Sequence, residues 1–98
     1  MKIGNVEING KAVLAPMAGV ADRAFRELCV GYGASYVVSE MISSKGVSMG
    51  DRKSKQLSFI SDIERPAAVQ IFGSNPEIMA ESIPMVMESK PEIIDINM

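Results

Sequence analysis

Four side chains follow or interrupt the apolar runs of this 98-residue sequence and do not look like core filler. Met17 and Glu40 come just after short apolar runs, Gln70 lies inside one, and Asn97 follows the last. In parallel α/β folds the carboxyl ends of the strands share one face, and that face holds the active site. If the runs are parallel strands, these four residues converge on one region, which becomes the candidate functional site.

Each of these residues also has a purely structural explanation. Gln70 could hydrogen-bond a neighbouring loop, because a buried polar group needs a partner. Glu40 could cap the helix that follows it, Asn97 could be a turn residue, and Pro16-Met17-Ala18-Gly19 could be only a tight loop. The pattern alone leaves both kinds of explanation open.

The strands that would position these residues are short. Ile3, Val6 and Ile8 alternate with polar residues before Asn9-Gly10, a dipeptide typical of hairpin turns. The run 12–15 is continuously apolar, which suits a strand buried on both faces. Three later runs predict further strands, within the segments 35–40, 65–73 and 93–96.

Helices are predicted between the strands. The first has one apolar face at helical spacing, made of Ala21, Phe25, Leu28, Cys29 and Tyr32. Asp22 is placed to cap its start, and Gly31 and Gly33 to end it. Two short helices are expected near 43–47 and 51–57.

A last helix is expected within the segment 74–92. Asn75 or Ser74 would cap it, Pro76 would occupy its first turn, and Pro84 should kink or divide it.

Short apolar strands that alternate with helices indicate right-handed βαβ units and a parallel sheet. A doubly wound open sheet usually carries a Gly-rich turn after its first strand, and no G-x-G-x-x-G follows Leu14-Ala15. The alternative is a TIM (β/α)8 barrel, which needs about 250 residues when complete. On that interpretation the fold class is α/β, with the N-terminal half of the barrel as about four β/α units preceded by a β-hairpin.

Composition narrows the function classes. With 47% hydrophobic and 22% charged residues the chain should fold as one small domain, and a net charge of −2 demands neither nucleic acid nor an anionic membrane. A single cysteine and no histidine exclude an internal disulfide and a Cys/His zinc site, so we predict no metal and a reducing, cytoplasmic location. No secretory signal and no membrane-spanning run are apparent.

Two remaining features have plain explanations. Cys29 lies on the apolar helix face and is expected to be a packing residue rather than a nucleophile. A group of basic residues follows the second strand: Lys45, Arg52, Lys53 and Lys55. The simplest interpretation is a solvated loop, and the functional alternative is a contact to phosphate groups.

Over its whole length the sequence resembles the tRNA-dihydrouridine synthases, the FMN-dependent family that reduces uridines in tRNA. Its run "LAPMAGVAD" resembles the first-strand motif of the family, and "ERPAAVQIFGSNPE" resembles the third-strand segment. The closing "IIDINM" is similar to the approach to the family's Asn-x-Gly-Cys-Pro motif.

The resemblance implies a role for several residues. Pro16, Met17 and Ala18 would wrap the isoalloxazine ring of FMN, since a turn of small residues lets the backbone approach a flat ring. The Gln70 amide would bind the polar edge of the flavin, because it can donate and accept at once. Asn97 would lie beside the flavin and the target base.

In the family, reduced FMN gives a hydride to the uracil ring, a cysteine supplies a proton, and NADPH reduces the flavin again. That cysteine would lie three residues after Asn97, beyond Met98, so we predict no catalytic residue within these 98. We also expect the rest of the barrel and the tRNA-binding helical domain to be absent from this chain.

From these absences we predict that residues 1–98 are a partial FMN-binding barrel domain, inactive alone and a weak FMN binder at best. Two alternatives remain: a self-associating half-barrel structural module, since exposed sheet edges invite pairing with another chain, and a piece of another FMN-dependent barrel oxidoreductase that acts on a small molecule.

Overall fold

The computed structural model describes residues 1–98 and shows an α/β fold, in which an N-terminal hairpin precedes alternating parallel strands and helices. Two 3₁₀ turns, Asp62–Glu64 and Met87–Ser89, lie before and after the last β/α unit. The elements are β1 (Lys2–Ile3), β2 (Val6–Glu7), α1 (Arg23–Gly31), β3 (Val37–Val38), β4 (Ile42–Ser43), α2 (Ser44–Ser48), α3 (Arg52–Leu57), β5 (Ala67–Phe72), α4 (Pro76–Val86) and β6 (Ile93–Ile96).

The strand β5 is the centre of a parallel sheet. On one edge it pairs with β6 from Ala68 to Ile71. Because β6 occupies that edge, β3 and β4 share the other one, where β3 pairs near Ala68 and β4 near Ile71. The segment around Leu14 adds to the outer side of β3, through a parallel bridge to Val37. The strand positions therefore follow chain order across the sheet, as expected for successive βαβ units.

The segment 12–15 is a correction to the predicted buried strand. Leu14 forms the one bridge of this segment to the sheet: its N–H donates to the Tyr36 carbonyl at 2.9 Å, and the Ala12 carbonyl accepts the Ser35 N–H at 2.8 Å. Val13 is 53% exposed, and Ala12 and Ala15 are exposed too. The physical reason is position: this segment is the outermost of the sheet and has no neighbour on its far side to bury it.

The N-terminal hairpin exists, but its predicted turn was wrong. The chain reverses at Gly4-Asn5, where Gly4 takes a left-handed conformation with φ of 59°. Asn9-Gly10 lies beyond the hairpin. A side chain at Gly10 would collide with Ser35, whose Cβ would be only 2.6 Å from the new atom, so glycine is needed there for close approach rather than for a turn.

Two apolar clusters cover the two faces of the sheet. The larger one packs the helices against it and includes Val37, Val69 and Ile71, with Val47 and Val86 from α2 and α4. The smaller one lies on the opposite face and is built from Ile8, Tyr36, Val38 and Ala68, with Ile93 packed against it. Residues alternate between the faces along each strand, so one face is covered by helices and the other only by the end of the hairpin.

The helix α1 departs from the predicted apolar face. Asp22 caps it, accepting from the Phe25 N–H at 2.8 Å, and it ends at Gly31 as expected. Leu28 and Tyr32, however, are 56% and 86% exposed. Ala21 is buried, but the one fully buried side chain within the helix is Arg26.

Arg26 is buried because three acceptors neutralise or satisfy its guanidinium. It forms an ion pair with the buried Glu64, and donates to the carbonyls of Ala21 and Phe59 at 2.8 and 2.9 Å. Glu64 in turn accepts from the backbone and the hydroxyl of Ser61. This network joins the start of α1 to the turn before β5, and no apolar periodicity reveals it.

The remaining helices lie close to their predicted segments. Asn75 caps α4 by accepting from the N–H groups of Glu77 and Ile78, and Pro76 occupies the first turn. Pro84 does not divide the helix, because α4 continues to Val86, and a kink at Pro84 stays a prediction. No helix is long and apolar enough to cross a membrane.

Candidate functional site

The candidate site lies on the sheet face that the helices leave open. Alternation places Ala68 and Gln70 of β5 on this face, together with Ile93 and Asp95 of β6. The apolar pair lies towards the start of the strands, above the hairpin, and the polar pair lies one step nearer the carboxyl ends. An apolar base below a polar layer at the carboxyl ends is the arrangement of parallel α/β active sites.

Gln70 and Asp95 are direct register partners on adjacent strands. The Gln70 Nε2 donates to Asp95 Oδ2 at 2.6 Å, and Gln70 is only 6% exposed. The alternative in which Gln70 bonds a neighbouring loop is therefore wrong, because its side-chain partner lies on the neighbouring strand β6.

A β-bulge lies on the other side of Gln70. From Val38 to Ile42 the chain advances four residues, whereas the facing stretch of β5 from Ala68 to Ile71 advances three. The extra residue interrupts the strand between β3 and β4, and the buried Ser39 fills the gap by accepting the Gln70 N–H on its hydroxyl at 3.1 Å. Bulges of this kind are frequent next to active sites, where they redirect a side chain.

The redirected side chain is Glu40. Its Oε1 accepts the N–H of Gly19 at 2.6 Å, so it does not cap the next helix, and Ser43 caps α2 instead. Gly19 belongs to the loop after Leu14 and has a φ of 75°, a conformation that favours glycine. Glu40 thereby fixes the loop that carries the predicted flavin-binding residues.

That loop is a compact turn at the carboxyl edge. The Met17 carbonyl accepts from the N–H groups of Val20 and Ala21 at 3.1 and 2.8 Å. Pro16 is half-buried, whereas Ala18 is exposed and Met17 is 37% exposed. The loop thus exposes the Met17 thioether and the small residue Ala18 to solvent near the carboxyl ends of the strands.

Asn97 extends the pairing of β6 with β5, since its N–H donates to the Ile71 carbonyl at 2.9 Å. Its side chain makes no hydrogen bond within the chain. It lines a cavity of about 540 Å³ together with Phe72, Ser43, Lys45 and Asn75. Asn97 therefore lies at the same edge of the sheet as Gln70, without a bond between the two.

The basic residues are separated by the fold. Arg52 and Lys55 line a second cavity of about 690 Å³ with Arg23, whereas Lys45 lines the cavity beside Asn97. The Arg23 guanidinium lies 5.5 Å from the centre of the Phe59 ring, and Lys55 pairs with Glu88 at 3.3 Å.

Two site residues were not singled out from the sequence, Asp95 and Ser39. A carboxylate inside an apolar run is a signal for Asp95, but its pairing with Gln70 depends on a strand register that only the structure shows. The bulge at Ser39 leaves no such signal. Tyr36 lies on the same open face, and burial, with a smaller effect of the Asp95 charge, raises the pKa of its phenol.

The parallel sheet, its apolar base and its polar carboxyl edge together define an α/β protein whose candidate site lies where (β/α)8 barrels hold theirs. The chain belongs to the dihydrouridine synthase family: the family described as "Dihydrouridine synthase (Dus)" matches residues 13–98. Membership of this family implies that the sheet is part of a (β/α)8 barrel.

Several relatives match the chain over its whole length or nearly so. The tRNA-dihydrouridine synthase B of Vibrio vulnificus (strain CMCP6) is 48% identical over 98 residues, and that of Pseudomonas aeruginosa (strain PAO1) is 46% identical over 99 residues. A probable tRNA-dihydrouridine synthase of Rickettsia prowazekii (strain Madrid E) is 41% identical and matches 99% of the chain. The chain spans about 30% of the length of each of these relatives.

Proposed function

We propose that residues 1–98 form part of the catalytic barrel of an FMN-dependent tRNA-dihydrouridine synthase, which reduces the C5–C6 bond of uridine in tRNA. When bound, FMN supplies the hydride for this reduction, and NADPH restores the reduced flavin. Family membership supports this function, and the observation that carries it is the Gln70–Asp95 pair on the open face, at the carboxyl ends of β5 and β6.

In this proposal Pro16, Met17 and Ala18 contact the isoalloxazine ring and Gln70 binds its polar edge. The residues fit such a group. The side chains around Met17 are small, and the Met17 thioether is exposed, so that it can make a polarizable contact to a flat ring. After donating one N–H to Asp95, the Gln70 amide still has an oxygen and a second N–H free. These match the alternating carbonyl and N–H groups on the polar edge of a flavin.

Asn97 is proposed to contact the target base. Its side chain has no hydrogen-bond partner within the chain and lines a cavity at the same edge as the flavin loop. The tRNA backbone would meet positive charge on the same molecule, since Arg23, Arg52 and Lys55 surround one cavity and Arg52 forms no ion pair.

A chimera tests this function. The first 98 residues of the Vibrio vulnificus enzyme are replaced by this chain, and dihydrouridine in tRNA is measured in cells that lack their own synthases. We expect dihydrouridine to form, and to be lost in the Gln70→Ala and Asn97→Ala chimeras but not in Glu81→Ala, which alters an exposed residue of α4 outside both cavities. A folded chimera without product would contradict the proposal.

We also propose that the 98-residue chain alone self-associates and binds FMN weakly. β6 pairs on one side only, Ile96 is 53% exposed, and Val13 is exposed at the other edge of the sheet. Such edges invite pairing with a second copy. Sedimentation velocity should show mass rising with concentration, and a monomer at every concentration would refute self-association. FMN fluorescence titration should give a dissociation constant well above micromolar.

A further inference from the structure

Asp95 is an unexplained carboxylate. It is half-buried, forms no ion pair with any Lys or Arg, and accepts a single side-chain hydrogen bond, from Gln70. Burial disfavours a charge that lacks a cationic partner. A carboxylate in this position therefore adds little to the stability of the sheet, and its effect is best sought in Gln70, the one side chain with which it forms a hydrogen bond.

The bond fixes which way the Gln70 amide faces. An ionised carboxylate only accepts hydrogen bonds, so the amide must turn its NH2 group to Asp95. The rest of Gln70 is also held, because its backbone N–H donates to Ser39 and its strand is flanked on both sides. The Oε1 atom and the second N–H are then the groups that remain for a ligand.

We propose that Asp95 is a positioning residue that holds the Gln70 amide in one orientation, so that the site selects a ring edge with an N–H donor next to a carbonyl. This inference rests on the proposed function, because the imide edge of a flavin has that pattern. The inference adds Asp95 to the proposed flavin site and explains how the site selects its ligand. Without Asp95 the Gln70 amide could rotate and offer its NH2 group where the ligand needs an acceptor.

The geometry is tested on the full chain by NMR of the glutamine side-chain amides. The chain has two glutamines, so the exposed Gln56 is an internal reference. We expect one Gln70 Nε2 proton to resonate downfield of its Gln56 counterpart and to exchange slowly, with a scalar coupling across the hydrogen bond to the Asp95 carboxylate carbon. In Asp95→Ala, which removes the acceptor, the two glutamines should become alike, whereas the exposed control Asp62→Ala should change nothing at Gln70.

The coupling is measured on the unaltered chain, so the test survives a failure of Asp95→Ala to fold. Gln70 signals that match those of Gln56 in the unaltered chain, or that are unchanged in a folded Asp95→Ala variant, would overturn the positioning role.

Specificity is tested with FMN and N3-methyl-FMN at millimolar concentration, followed by the same amide signals. FMN should bind about tenfold more weakly to Asp95→Ala, as expected for the loss of one hydrogen bond of this kind, and discrimination against the N3-methyl compound should disappear. Equal binding of both compounds to the unaltered chain would overturn the specificity argument. If FMN does not perturb Gln70 at all while the coupling to Asp95 is present, the positioning role stands and the proposed contact of Gln70 with the flavin fails, whereas the proposed function itself is decided by the chimera.

Discussion

Glu40 accepts the backbone N–H of Gly19 at 2.6 Å, and this bond joins the end of β3 to the loop that follows Leu14. The two residues are 21 positions apart, and the bond reaches the loop only because the bulge turns Glu40 out of the strand. The conformation of the proposed flavin-binding loop is therefore set in part by a carboxylate on the neighbouring strand.

Removing this carboxylate should loosen the loop. In Glu40→Ala we expect amide hydrogen exchange at Gly19 to accelerate about tenfold, because a hydrogen bond to a charged group contributes roughly 1.5 kcal/mol. Exchange in β5 should stay unchanged. Glu81→Ala, an exposed glutamate on α4 without an ion pair, is the control. Unaltered exchange at Gly19 would show that the hydrogen bonds within the turn are enough to stabilise it without Glu40.

Placing a second carboxylate beside Asp95 should make stability depend on pH. In Gln70→Glu the new side chain faces Asp95 in a largely buried position, so its pKa in the folded chain is expected to rise above the ordinary value. A raised carboxyl pKa means that the folded state binds protons more readily, so stability is lost as pH rises above that ordinary value of about 4.3.

The loss should be about 1.4 kcal/mol for each unit by which the pKa is raised. Urea unfolding at pH 4 and pH 7 measures it, with the exposed Gln56→Glu variant as the matched control. A Gln70→Glu variant whose deficit against the unaltered chain is the same at both pH values would contradict the close contact with Asp95.

The buried pair of Arg26 and Glu64 should be the most sensitive point of the helix layer. In Arg26→Leu the Glu64 carboxylate stays buried without its cation, and breaking such a pair costs about 3–5 kcal/mol. Arg23→Leu, which alters an exposed arginine of the same helix, should cost less than about 1 kcal/mol. Chemical denaturation followed by circular dichroism compares the two, and equal losses would show that the buried pair has no special weight.

Glu92 should make the sheet sensitive to acid. Burial raises its pKa, but hydrogen bonds from the Ala67 N–H and from Arg65 outweigh burial, so the pKa lies below the ordinary 4.5. A lowered carboxyl pKa gives stability that is present above pH 4.5 and is lost as pH falls through the folded value.

Glu92→Gln should therefore be less stable than the unaltered chain at pH 7, by at most about 1 kcal/mol because solvent screens this exposed side chain, and equally stable once Glu92 is protonated in acid. Unfolding free energies measured from pH 7 down to pH 2 give the difference at each step. A difference that does not shrink on acidification would place the contribution elsewhere than in the charge of Glu92.

Sequence patterns predicted the elements well where local chemistry decides them. Asp22 and Asn75 cap the helices for which they were predicted, because an N-cap needs only its own side chain and the next turn. The patterns failed where tertiary position decides. The segment 12–15 is apolar enough for a central strand, yet it lies at the outer edge, and Leu28 and Tyr32 have helical spacing but nothing to pack against.

The candidate site divides in the same way. That Gln70 and Asn97 share one edge follows from the rule that parallel strands end together, and the structure agrees. The partners of Glu40 and Gln70 could not be predicted, because they depend on one unpaired residue in the strand and on the exact register of two others. A shift of a single residue would have exchanged one face for the other.

The bulge between β3 and β4 also changes the face of the sheet to which the residues after it point. Counted from Val38 on the open face, regular alternation would place Ile42 on that face too, four residues later. The extra residue turns Ile42 into the helix-side cluster, where it pairs with Ile71. Deletion of one residue from 39–41 would leave Ile42 three positions after Val38, so regular alternation would keep it opposite Ile71 in the core. The deletion would instead remove the bulge itself, and with it the position from which Glu40 reaches Gly19.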